Sequence, residues 1–147
     1  MTKLRVLSLG AGVQSSTVAL MMEKGIIEKP DACIFADTHS EGKWIYEWLD
    51  WLKGQLSFPV LITSHGSLKA KVMDTKSFIS IPVFYKNKHT GKKGLMRRQC
   101  TREYKITPVN QKVRELLGLA KYKKVKPGTE VEMVMGISMD EATRMTT

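Results

Sequence analysis

An open, mostly parallel α/β sheet with helices on both faces is the fold this sequence predicts. Three observations predict it. Apolar runs short enough to be buried strands recur at 4–9, 32–36, 59–63 and 131–137. Segments with the 3.6-residue period of amphipathic helices separate most of them. Glycines or prolines punctuate the junctions. Such alternation implies parallel strands joined by crossover helices, a doubly wound sheet. In that architecture ligands bind beyond the carboxyl ends of the strands.

Leu4 to Leu9 is nearly continuous in apolar residues and predicts the first strand, broken by Gly10-Ala11-Gly12. Ser15 to Lys24 reads as a helix packing through Val18, Ala19, Met21 and Met22, with Gly25 closing it. Ala32 to Ala36 predicts the second strand. Trp44, Ile45, Trp48, Leu49, Leu52 and Leu56 form the apolar stripe of a second helix, and Pro59 to Thr63 predicts the third strand. Ser67 to Met73 reads as a short helix. Phe78 to Tyr85 is apolar, but Pro82 argues against a central strand there. Lys86 to Gly94 reads as a basic loop. Thr107 is expected to cap a helix that has Pro108 in its first turn. The stripe of that helix is Val109, Val113, Leu116 and Leu117, and Gly118 ends it. Tyr122 to Thr129 reads as a basic turn around Pro127-Gly128, and Val131 to Ile137 as the last strand.

A chain of 147 residues with 42% hydrophobic content suits one packed domain spanning 1–147. No run of roughly 18 apolar residues is present, so no membrane span is expected. The N-terminus carries no signal-peptide pattern. A cytoplasmic protein is expected, in the host cytoplasm if the chain is phage-encoded. Two cysteines, Cys33 and Cys100, cannot hold an iron–sulfur cluster within one chain, and neither lies in a zinc-type spacing. The net charge is +10. Essentially all of it resides in Lys86–Lys105 and Lys121–Lys126, where Glu103 is the lone acid. Concentrated positive charge suits an anionic partner, either nucleotide phosphates or a nucleic-acid backbone. It also suits a solvated, solubilising face.

The strand ends carry the chemistry. After the first strand, Gly10, Ala11, Gly12, Val13, Gln14, Ser15 and Ser16 lead into a helix N-terminus. Glycines let a ligand approach the backbone, the helix start offers free N–H groups, and Ser15, Ser16 and Thr17 add hydroxyls. The combination suits a phosphate cradle, although a short glycine loop also serves as a plain turn. It is not a Walker A loop, because no GxxxxGK[ST] is present. After the second strand, Asp37 and Thr38 stand where a ribose or adenine contact is expected, and hydroxyls there also serve as helix caps. Arg97, Arg98, Arg102 and Lys105 precede a helix and suit a second anionic group. Cys100 among them is a candidate nucleophile or a small packing residue. At the last strand, Gly136 permits close approach. Asp140 and Glu141 are either Mg²⁺ ligands or acids at a helix start.

Taken together these motifs resemble the PP-loop superfamily, the adenine nucleotide alpha hydrolases. Within it the chain is most similar to phage and bacterial members of the phosphoadenosine phosphosulfate (PAPS) reductase family. Four stretches carry the resemblance: Gly10–Ser16; Asp37-Thr38-His39-Ser40-Glu41; Gln99-Cys100-Thr101 with Lys105 and Pro108; and Gly136–Glu141 with Arg144. The resemblance implies ATP or PAPS as ligand on the Gly10–Ser16 loop, for nucleotidyl- or sulfur-transfer chemistry. Lys105, Arg102 and Cys100 would be the catalytic candidates, and Asp140 and Glu141 would take Mg²⁺. Three departures bear on activity. Gly10 stands for the family's usual serine and Gln14 for its aspartate. No cysteine follows Cys100, whereas reductases of the family attack sulfur with a late one. The chain ends at Thr147, short of the family's usual C-terminal segment. The sequence therefore predicts a nucleotide binder of weak or no catalytic power. The alternative is a non-catalytic basic protein binding nucleotide or nucleic acid through Lys86–Lys105 and Lys121–Lys126. Self-association into a homo-oligomer is compatible with either.

Overall fold

The computed structural model describes residues 2–74, 84–95, 99–120 and 123–144. Residues 78–83 of the apolar stretch around Pro82, together with Arg97, Arg98, Lys121 and Tyr122, lie outside the described residues, as does the side chain of Arg144. The elements are β1 (Thr2–Leu9), α1 (Val13–Glu23), β2 (Ala32–Asp37), α2 (Lys43–Gln55), β3 (Val60–Ser64) and α3 (Leu68–Met73). Then come β4 (Phe84–Lys86), β5 (Lys93–Leu95), a π-helical turn (Arg102–Ile106), α4 (Thr107–Leu116), β6 (Thr129–Met135) and a 3₁₀ turn (Met139–Arg144).

Four strands form a wholly parallel sheet in the order β3-β2-β1-β6. The period-2 alternation of strands divides the core. Leu7, Leu9, Cys33 and Phe35 point to one face, where Ala19 and Met22 of α1 and Ile45, Leu49 and Leu52 of α2 cover them. Val6, Ile34 and Ala36 point to the other, under Val109 and Val113 of α4. Each buried Val, Leu, Ile, Phe or Met among them contributes about 1.5–3 kcal/mol by leaving water. The handedness of parallel crossovers explains the split. The chain winds outward from β1 to β3 with both helices on one face, then returns past β1 to β6 and must cross on the opposite face. This is the doubly wound α/β fold. Cys33 is fully buried, and desolvation pushes its thiol up to about 12. It is a core side chain.

Several expected details change. Trp44 belongs to the apolar stripe of α2 by period, yet it is 68% exposed. The α2 core contact narrows to Ile45, Leu49 and Leu52, which join the sheet and α1 residues of the core, while Trp44 and Trp48 border an open groove. Leu116 likewise turns to solvent. The stretch read as a basic loop is a two-stranded antiparallel ribbon, β4 with β5, separate from the main sheet. Asn87 accepts from the N–H groups of His89 and Thr90, and Gly91 takes the positive φ that the turn requires. Thr107 does not cap α4. It is itself helical, and its N–H bonds back to Arg102 across the π turn. Pro108 supplies the reason. It has no N–H for the Tyr104 carbonyl, and its ring would press on that carbonyl in a tight α turn. A widened turn makes room.

α1 ends as predicted, with Gly25 at φ +74 and the Ile26 N–H returning to the Met21 carbonyl. Beside it, Glu23 accepts from the Ser57 N–H, from Lys29 Nζ and from the Ser57 hydroxyl. These bonds, led by the backbone one, lower its pKa from 4.5 to about 2. A lowered acid contributes stability that is fully present above its unfolded value and is lost as pH falls through its folded one. The wild-type advantage over Glu23→Gln is therefore expected to be constant above about pH 5. It should shrink toward zero by about pH 2, read as the difference between the two melting temperatures across a pH series.

Candidate functional site

Two clefts meet at the carboxyl ends of β1, β2 and β6. Strand order reverses here, because β1 has β2 on one side and β6 on the other. The first, about 160 Å³, is mostly apolar, walled by Leu9, Phe35, Ala36, Ile106, Val109 and Met133. Glu41, Lys105 and Asn110 are its charged and amide side chains. The second, about 350 Å³, is lined by Gly12, Gln14, Ser15 and Gly136. Ser8, Gly10, Lys105 and Met135 line both, so the two are one continuous depression.

The second cleft is a cradle of backbone. Gly12 is extended at φ −85, ψ 175, and no side chain caps α1. The N–H groups of the first turn thus lack the acceptors that a capped helix supplies. The Ser15 hydroxyl accepts from the Gly10 N–H at 3.1 Å and closes the loop. Ala11 adopts φ +53, a conformation costly for a residue with a Cβ, and is only 3% exposed. Gly136 abuts the first turn: a Cβ on it would lie 2.7 Å from Gln14 C and Ser15 N. Its lack of a side chain lets β6 reach the loop, so close approach there is to protein backbone.

The helical rotation of about 100° per residue sends the three hydroxyls in different directions. Ser15 stays in the cradle. Ser16 accepts from Trp48 Nε1 at 2.9 Å, on the α2 side. Thr17 donates to the Val13 carbonyl. Ala11, Gly12, Val13 and Ser16 line a further groove with Trp44 and Trp48, so Gly12 borders both. Of the predicted loop set, Gly10, Gly12, Gln14 and Ser15 line the cradle, and Gly136 joins them.

Asp37 and Thr38 are 8% and 4% exposed and line neither cleft. Asp37 accepts from the His39 N–H and the Tyr46 hydroxyl, and Ser64 donates to its carbonyl. Burial and the Asp37 carboxylate raise the Tyr46 pKa, which keeps its phenol a donor. Thr38 accepts from the Ser40 N–H, and its carbonyl accepts from the Leu68 N–H. Both residues organise the β2–α2 loop, and that loop carries Glu41 to the cleft.

The π turn brings Lys105 to the junction of the two clefts, 3.6 Å from Glu41 Oε1. Arg102 is exposed, and neither it nor Cys100 lines either cleft. In the late motif, Gln14 Nε2 donates to Ser138 Oγ at 2.8 Å and to Glu141 Oε2 at 3.0 Å. An amide at position 14 thus tethers the 3₁₀ turn to the cradle, where an aspartate would repel Glu141. Asp140 is exposed. Among the described residues no group of three or more His, Cys, Asp and Glu is disposed to hold a metal. None of the described helices is long and apolar enough to cross a membrane. The lysines of the ribbon, Lys86, Lys88, Lys92 and Lys93, are all exposed.

The sequence reading gave no site role to Ser8, Leu9, Phe35, Ala36, Ile106, Val109, Asn110, Met133 and Met135, nor to Glu41, which it quoted only within the Asp37–Glu41 motif. The strand-end rule would have flagged Ser8, Phe35, Ala36 and Met135, which close their strands. Ile106, Val109 and Asn110 carry no such signal, because they enter only through the docking of α4 on the sheet. Compared with family models, with characterised proteins and with solved structures, the chain gives no match.

Proposed function

We propose that this chain binds an adenine nucleotide, ATP or PAPS, with the phosphates in the Gly10–Ser15 cradle and the base in the adjoining apolar cleft. One observation carries the reading: an apolar slot and a backbone phosphate cradle are continuous through Ser8, Gly10, Lys105 and Met135 at the switch point of a parallel sheet. A nucleotide is a flat apolar body joined to an anion, and the depression has that division. The uncapped α1 N-terminus and Lys105 supply positive potential. The two cleft volumes together fall in the roughly 300–1,000 Å³ of small-molecule sites. The resemblance of the four motifs to PP-loop proteins points the same way.

Mg²⁺ fits this site as a guest of the phosphates. Magnesium commonly takes one or two carboxylates and keeps phosphate oxygens and water as its other ligands. Glu141, tethered beside the cradle, is the nearest candidate, and Asp140 the second. Bound Mg²⁺ would neutralise phosphate charge, while Gln14 holds the Glu141 side chain in register. Lys105 would offset charge on the far phosphate or on a sulfate.

Thermal unfolding with ATP, PAPS, adenosine 3′,5′-bisphosphate and NAD, each with and without Mg²⁺, tests the reading. A true ligand at 100 times its dissociation constant stabilises by about 2.7 kcal/mol. No shift with any of the four would overturn the proposal. The exposed lysines of the β4–β5 ribbon support the rival reading, a nucleic-acid binder. Oligonucleotide binding that falls steeply with salt, with no response to ATP, would favour that one.

A further inference from the structure

Among the described residues the β4–β5 ribbon pairs only with itself, and it lines neither cleft. Its register sets Phe84 opposite Leu95, Tyr85 opposite Gly94 and Lys86 opposite Lys93. Strand alternation therefore places Phe84, Leu95, Lys86 and Lys93 on one face. On the other face the Tyr85 ring lies over Gly94, where a Cβ would come 2.7 Å from Tyr85 Cζ. Phe84 has no such cover: it is 86% exposed, and Leu95 beside it is 56% exposed. The Lys86–Lys93 pair stands about 7 Å further along the same face. Like charges directly opposite one another destabilise a strand pair, and residues 84–95 contain no acid. Among the described residues Lys86, Lys88, Lys92 and Lys93 enter none of the ion pairs.

We propose that the ribbon is a binding arm for single-stranded nucleic acid, with an unpaired base stacked on Phe84 and adjoining phosphates held by Lys86 and Lys93. The proposal goes beyond the nucleotide reading and does not rest on it, since a strand on the ribbon and a nucleotide in the cradle occupy different surfaces. An exposed ring is a platform for the flat face of any base, provided that the base is not already stacked in a duplex. A polyanion across the lysine pair turns its repulsion into attraction. Lysines also guard open strand edges against chance pairing, but guarding gives no use to an apolar ring standing in water beside them. The cations are not confined to one level, as a lipid surface would favour. Lys88 lies in the turn, and alternation sends Lys92 to the Tyr85 face, so positive charge surrounds the tip. That distribution suits a flexible polyanion that can bend around the ribbon.

Fluorescence anisotropy with a labelled oligothymidylate of about ten nucleotides, beside a duplex of equal length, makes the test. The wild-type chain should bind the single strand more tightly than the duplex, with affinity falling steeply as salt rises. Phe84→Ala should weaken the single strand by about 5- to 150-fold, the range for one lost base–ring stack, and leave the duplex unchanged. Phe84→Tyr, which keeps a ring, should restore it. Lys86→Gln with Lys93→Gln should lower the slope of log affinity against log salt by about 1.4, or about 0.7 for each phosphate contact. These side chains are exposed, so the melting temperature of each variant should match that of the wild type. Absence of binding to the single strand, equal binding of the duplex, or undiminished binding by Phe84→Ala would each overturn the proposal. Binding to vesicles of anionic lipid with none to the oligonucleotide would also overturn it, by giving the ribbon to a membrane surface. Gly12→Val should bind the oligonucleotide as the wild type does; a loss there would move the strand to the cradle and overturn the assignment. Ring-dependent oligonucleotide binding in a chain that ignores ATP would support the ribbon and overturn only the nucleotide reading.

Discussion

Gly12→Val is expected to fold like the wild type and to lose adenine-nucleotide affinity by at least about a hundredfold. The backbone at residue 12 is extended, and a Cβ there meets nothing within 4 Å. The first carbon of a valine side chain therefore meets no neighbour. Gly12 lines the cradle as well as the tryptophan groove beside it. A branched side chain would hold a phosphate away from the first-turn N–H groups. Two hydrogen bonds to a charged group, at about 1.5–3 kcal/mol each, would be lost. Calorimetric titration beside a melting curve separates the two effects. A folded variant with undiminished affinity would show that phosphates do not bind at this loop.

Gly136→Ala should behave oppositely, damaging fold and site at once. The added Cβ would sit 2.7 Å from Gln14 C and Ser15 N and 2.8 Å from Gln14 O. These are backbone atoms, so no side-chain rotation relieves the contact. Either β6 withdraws from β1 or the first turn of α1 shifts. Overpacking of this kind costs about 1–3 kcal/mol. For a chain of 147 residues that is roughly 3–10 °C in melting temperature. The Gln14 bonds to Ser138 and Glu141 span the same junction and should weaken with it. Nucleotide affinity is then expected to fall along with stability. An unchanged melting temperature in Gly136→Ala would mean that the loop and β6 are not in contact in solution.

Much of the fold is legible in the sequence because it depends on local pattern. Val6-Leu7 and Cys33-Ile34-Phe35 are buried on both faces, and near-continuous apolar runs are how such strands read. Gly25 and the Ser67 cap, whose hydroxyl accepts from the Ala70 N–H, act within a few residues of themselves. The glycine loop too was visible as a candidate cradle, since the chemistry of Gly10, Gly12 and Ser15 lies in one short segment.

What only the tertiary structure decided are relations between distant segments. Trp44 and Ile45 both stand on the apolar stripe by period, and only the packing of α2 onto the core buries Ile45 and leaves Trp44 in solvent. Asp37 was the obvious acid after β2, but Tyr46 and the His39 N–H engage it, and Glu41 reaches the cleft instead. Arg102 and Lys105 share one basic segment; the π turn imposed by Pro108 and the docking of α4 bring Lys105 alone of the two to the clefts. Gln14 meets Glu141, 127 residues away in the chain, whose carboxylate accepts from its amide where an acidic side chain would add a second negative charge. Backbone propensity and apolar period are properties of a segment and survive in one dimension. The direction of a side chain, and the charge it meets, exist only once the sheet has brought the strand ends together.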